Sequence, residues 1–128
     1  MKILVGYNGS NLSNRALDLA REHAKAFNAK IYILHSKVTD LPQKAHEKDE
    51  QDMEEVKSSM EKENISCETF LTIMNKLPEE HLVNFAEENE IDEIIVGVRT
   101  KSRVGKFILG STAQYVILKA PCPVVTVK

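Results

Sequence analysis

The stretch DEIIVGVRTKSRVGKFILGSTAQ, residues 92–114, decides the fold. Its opening, with Ile94, Ile95 and Val96 in succession, reads as a buried strand over 92–98. Arg99, Lys101, Arg103 and Lys106 follow, with no acid among them. The stretch closes on Gly110-Ser111-Thr112, and Ser111 with Gln114 has the spacing of a capping box, which predicts a helix to about 119. Strand, basic loop and helix N-terminus therefore stand in immediate succession.

The same alternation extends outward in both directions. Residues 2–7 form a short apolar run that reads as a strand, and Leu12, Ala16, Leu17, Ala20, Ala24 and Phe27 recur at helical spacing over 11–27. A second strand is expected over 30–36, then a loop punctuated by Pro42. Met53, Val56 and Met60 share one stripe of a highly charged helix over 47–63. A strand over 66–73 precedes a helix opened by Pro78 and the acids Glu79 and Glu80. The last apolar run, 123–127, is a fifth strand. Five strands alternating with helices imply an α/β domain: a mostly parallel sheet with helices on both faces. In such sheets ligands sit beyond the carboxyl ends of the strands, where the strand order reverses.

Length and composition narrow the function classes. A chain of 128 residues suits one domain, 1–128, with a core that needs no disulfide or metal. The two cysteines, Cys67 and Cys122, form no ligand pattern and read as small buried apolar groups. The sequence turns polar after seven residues, sooner than a signal peptide would, and no apolar run approaches a membrane span. A cytoplasmic protein with no membrane partner is the expectation. Residues 94–128 carry six cations and no acid, which leaves a charge of −8 on residues 1–93 of a chain whose net charge is −2. One positive patch on an acidic chain fits a small anion better than a nucleic acid, which wants a broad basic face.

Other tempting residues have plainer readings. His23, His35, His46 and His81 are scattered, and none stands with cysteines or carboxylates at metal-ligand spacing. His35 is assigned to packing, and His46 and His81 to solvated helix starts. Ser10 reads as a turn or cap before the first helix rather than a nucleophile.

As a phosphate site, the basic loop has the required parts: Gly110 for close backbone approach, Ser111 and Thr112 for hydroxyls and amides at a helix start, and the cations for charge. The competing reading makes Ser111 only a cap and leaves the cations in water. The loop is not a Walker sequence, because Gly105-Lys106 is not followed by Ser or Thr, and no GxGxxG follows the first strand.

The segments KILVGYNGSNLSNRAL (2–17), IYILHS (31–36) and IIVGVRTKSRVGKFILGSTAQYVILKAPCPVVTV (94–127) resemble the universal stress protein family. That resemblance covers nearly the whole chain in order. It implies a Rossmann-like fold of the adenine nucleotide alpha hydrolase type, with one five-stranded parallel sheet in the order 3-2-1-4-5. It also implies a stress-associated regulatory module that forms a homodimer through the last strand, 123–127, and binds an adenine nucleotide, ATP, with Mg or Mn carried on the triphosphate.

Carried over by position, the family's nucleotide motif G-x2-G-x9-G-[ST] falls on Gly97, Thr100, Gly110 and Ser111. Thr100 stands where the family has glycine, and Asn8 stands where it usually has an aspartate. The resemblance places Asn8 and Ser36 by the nucleoside and Gly97 and Thr100 along the ribose and phosphates. Gly110, Ser111 and Thr112 would hold the phosphates, with Arg99, Lys101 and Arg103 supplying charge. If position 100 required a positive φ or very close phosphate approach, threonine there would cost about 1–3 kcal/mol. Two departures from the motif support a competing function, a protein-interaction module that binds no nucleotide and signals through its dimer surface. Slow ATP hydrolysis would need a general base that the motif lacks, so no catalytic residue is assigned.

Overall fold

The computed structural model describes residues 1–37, 46–73, 76–103 and 106–128, without the side chains of residues 100–108. The elements in chain order are β1 (Lys2–Gly6), α1 (Asn11–Phe27), β2 (Lys30–Lys37), α2 (Glu47–Lys62), β3 (Cys67–Ile73) and α3 (Pro78–Glu88). They continue with β4 (Glu93–Gly97), β5 (Thr100–Arg103), β6 (Lys106–Leu109), α4 (Ser111–Lys119) and β7 (Val124–Val127).

Five of the strands form one sheet in the order β3-β2-β1-β4-β7, and every pairing in it is parallel. This is the expected order 3-2-1-4-5, with β7 as the fifth strand. Side chains alternate across the sheet, so each apolar run feeds two cores. Ile3, Val5, Ile31, Ile33 and Ile95 pack with Ala16, Ala20 and Ala24 of α1 and Met53 and Met60 of α2. Leu4, Tyr32, Leu34, Ile94 and Val96 pack on the opposite face with Leu82, Val83, Phe85 and Ala86 of α3 and Ala113 and Val116 of α4. The three alanines let α1 lie close to the sheet. Phe27, expected on that stripe, is instead 60% exposed at the last turn of α1.

Three further expectations are corrected. The basic stretch after β4 is not a loop throughout: β5 and β6 pair antiparallel, Thr100 opposite Leu109 and Arg103 opposite Lys106. The helix cap lies one residue earlier than the capping box indicated. Gly110 is the N-cap of α4, with φ −60° and ψ 154°, and no side chain caps it. The Gln114 backbone N–H donates to Gly110 O at 3.1 Å, and its side-chain Nε2 donates to Leu109 O at 2.7 Å. Finally, His46 is 1% exposed rather than solvated, because the start of α2 carries its ring inward. His46 Nδ1 lies 4.0 Å from Asp49 Oδ2, and Asp49 is paired with Lys37 at the end of β2.

His35 is also buried, with its ring edge-on to Tyr7 at 5.7 Å between centroids. Burial holds its pKa below the ordinary histidine value, so the fold resists its protonation. Burial acts in the same direction on His81. Both groups are depressed in the fold, so the stability they permit is complete above about pH 6.5 and falls as pH drops below it. Each histidine contributes a slope of at most about 1.4 kcal/mol per pH unit. Urea unfolding between about pH 7.5 and 5 should show this loss, and His35→Leu should make it shallower. A wild-type unfolding midpoint that stays constant over that range would contradict the assignment.

Candidate functional site

The strand order reverses between β1 and β4, since β1 is followed on one side by β2 and on the other by β4. A crevice of about 480 Å³ opens there, beyond the carboxyl ends of the strands. Its size lies within the roughly 300–1,000 Å³ typical of small-ligand sites. The crevice is lined by Tyr7 and Asn8 after β1, Leu34 and Ser36 on β2, and Gly97, Val98 and Arg99 at the end of β4. Gly110, Ser111 and Thr112 at the start of α4, with Pro78 and Leu82 of α3, complete the wall.

Seven of the ten residues assigned from the sequence therefore line one crevice: Asn8, Ser36, Gly97, Arg99, Gly110, Ser111 and Thr112. The side chains of Thr100, Lys101 and Arg103 lie outside the described residues. The backbone at Thr100 is described, and it belongs to β5. A strand has negative φ, so threonine at this position carries no positive-φ strain. A β-branched residue also suits a strand.

The start of α4 has the donors an anion needs. The Gly110 N–H is used, donating to Arg99 O at 3.3 Å, and the helix's first intrahelical bond comes from Gln114. The N–H groups of Ser111, Thr112 and Ala113 thus have no partner among the described residues, as the helix geometry requires. The hydroxyls of Ser111 and Thr112 are exposed and make no cap bond. The reading of Ser111 as a mere cap does not hold. Arg99 is exposed at the same end, and α4 has no acid in its first turn. Helix dipole, free amides and guanidinium all favour negative charge here.

The two motif glycines serve different ends. A Cβ on Gly97 would come within 2.8 Å of Leu12 Cβ and 3.1 Å of the Leu12 backbone, so Gly97 is needed for packing of α1 against β4. A Cβ on Gly110 would meet nothing within 4 Å among the described residues, and the backbone there is ordinary.

At the β1 tip, Asn8 Oδ1 accepts from the Ser10 N–H at 3.0 Å, which leaves its Nδ2 as a donor. Gly9 takes φ +81° in this turn, a conformation that suits glycine. Ser10 is the N-cap of α1, accepting from the Ser13 N–H at 3.2 Å, the role expected from the sequence. At the β2 tip, the Ser36 hydroxyl lies 2.5 Å from His81 Nδ1. His81, read as solvated, is half-buried over the crevice wall. It lies one helical turn after Pro78, but no sequence signal shows that this turn of α3 covers the end of β2.

A parallel sheet in this order, with an open helix N-terminus over its switch point, defines a Rossmann-like α/β protein. The chain belongs to the universal stress protein family, whose model matches residues 1–128. It is 30% identical over 134 residues to a universal stress protein of Thermus aquaticus, covering 98% of this chain and 97% of the relative. One from Methanocaldococcus jannaschii is 29% identical over 140 residues, covering 99% of this chain and 81% of the relative. Among solved structures, a universal stress protein from Archaeoglobus fulgidus in complex with dAMP superposes with a TM-score of 0.79 at 28% identity. That match covers 100% of this chain and 98% of the other.

The contact at Gly97 yields a direct test. Gly97→Ala should lower stability by about 1–3 kcal/mol, because the Leu12 backbone must move to admit the methyl group. Gly110→Ala, with open space around it, should stay within about 1 kcal/mol of wild type. Urea unfolding of the two variants should separate them; equal stabilities would show that the Leu12 contact is not tight.

Proposed function

We propose that this chain is a stress-associated regulatory module that binds an adenine nucleotide, ATP, in the switch-point crevice. The carrying observation is Gly110. Neither its backbone conformation nor any neighbour among the described residues requires glycine there, yet it stands beside three amides with no partner among the described residues and lines the crevice. A side chain at that position would occupy the space a phosphate needs. The relative solved with dAMP supports an adenine nucleotide as the occupant.

In this reading Ser111, Thr112 and the α4 amides hold the phosphates, with Arg99, Lys101 and Arg103 supplying charge. Gly97 and Thr100 line the ribose side, and Asn8 and Ser36 face the nucleoside. A divalent ion would travel on the triphosphate. The described lining has no carboxylate to fix one, although hydroxyl and amide oxygens are present. The protein would act in the cytoplasm as a homodimer joined along β7, an edge strand of the sheet.

One observation favours the second reading, an interaction module without nucleotide. Thr100, at a glycine position of the family motif, is paired in a hairpin rather than left as open backbone.

Calorimetric titration separates the two. Wild-type protein should release or absorb heat with ATP and with AMP, and binding should weaken with salt. Gly110→Val should reduce affinity by at least about tenfold while the protein stays folded. No heat at about millimolar ATP would overturn nucleotide binding and leave the interaction reading.

A further inference from the structure

We propose that His81 holds the Ser36 hydroxyl as a hydrogen-bond acceptor toward the crevice, so that the site selects a base with an exocyclic amino group over one with a carbonyl; this rests on the nucleotide reading above. The α4 amides and Arg99 lie at the β4 end of the crevice, and β2 lies beyond β1 on the other side. Two strand spacings, about 10 Å, separate the ends. A phosphate held at the β4 end leaves the base at the β2 end. The wall there is apolar, with Leu34, Leu82 and Pro78, and Ser36 is the polar side chain on that stretch of β2.

A hydroxyl has one proton to give and two lone pairs. Ser36 Oγ lies 2.5 Å from His81 Nδ1. Burial holds the His81 imidazole below the ordinary histidine pKa; the Lys76 cation opposes its charging as well, and the Glu88 carboxylate favours it. β2 adds Lys37, which is paired with Asp49, and His35, which is buried against Tyr7; α4 carries no charged side chain before Lys119. The ring is therefore neutral at about pH 8. Neutral imidazole favours the proton on Nε2, which leaves Nδ1 as an acceptor. Ser36 then gives its proton to His81 and turns its lone pairs to the crevice. A purine 6-amino group donates to them, whereas a 6-carbonyl would set lone pair against lone pair. Protonation of His81 reverses the sense: Nδ1 becomes a donor, and the Ser36 proton is turned toward the base.

The experiment titrates AMP, IMP and ribose 5-phosphate into wild type, Ser36→Ala, His81→Phe and His81→Gln. AMP and IMP share their phosphate, so its ionisation cancels in the affinity ratio, and ribose 5-phosphate reports an intact phosphate end. At about pH 8 wild type should favour AMP over IMP on the order of tenfold. The ratio should fall toward unity in Ser36→Ala and in His81→Phe. His81→Gln, whose amide oxygen can accept the Ser36 proton, should restore part of it. The wild-type ratio should also shrink as pH falls from about 8 to about 5. A wild-type ratio of one or less with ribose 5-phosphate bound would overturn this inference alone, as would a ratio that survives His81→Phe. Binding of none of the three would overturn the nucleotide reading and this inference with it.

Discussion

The approach of Leu12 to Gly97 is the constraint on which the rest of the molecule depends. It seats the first turn of α1 on the tip of β4, where any side chain would collide with the helix backbone. The next residue, Val98, donates its N–H to Val127 O at 2.8 Å, which carries the same alignment on to β7. The turn at Asn8 to Ser10 leads directly into that helix, so the β1 tip is fixed by the same contact. A few tenths of an ångström at one glycine thus determine how β1, α1 and β4 converge, and with them the mouth of the crevice.

Electrostatics then differentiates the crevice along its length. The α4 end presents unpaired amides, a helix dipole equivalent to about half a positive charge, and Arg99. The β2 end is mostly apolar and carries the Ser36 hydroxyl in contact with the half-buried His81 ring. Beneath that end, His35, His46, Tyr7 and the Lys37–Asp49 pair make a polar layer under the start of α2. Three of its histidine nitrogens lack a partner among the described residues. Burial keeps the His35 ring neutral, which ties the integrity of this region to pH.

Much of this was legible in the sequence, for identifiable reasons. Doubly buried parallel strands leave unbroken apolar runs such as Ile94 to Val96, and small-residue spacing such as Ala16, Ala20 and Ala24 marks a helix that lies close. The Rossmann-like order and the gathering of Asn8, Ser36, Gly97, Arg99 and the Gly110 to Thr112 segment at one crevice followed from the family resemblance. The failures were tertiary or a matter of emphasis. His46 and His81 sit among charged neighbours, and only the packing of α2 and α3 on β2 shows that their rings turn inward. The β5–β6 hairpin left little signal, because Thr100 to Arg103 is mostly polar and Val104-Gly105 is not one of the usual two-residue turn pairs, and its cations drew attention to charge rather than to pairing. Ser111 matched a capping pattern that the extended backbone of Gly110 displaced by one residue.

The hairpin forms a two-stranded sheet of its own, and at its base the Gly110 N–H donates to Arg99 O. Among the described residues no strand ladder joins it to the five-stranded sheet, so its own pairing can open without breaking the hydrogen bonds of that sheet. A change in the hairpin's length leaves the ladders of the main sheet untouched, so relatives can diverge at this flap while inheriting the same five-stranded chassis.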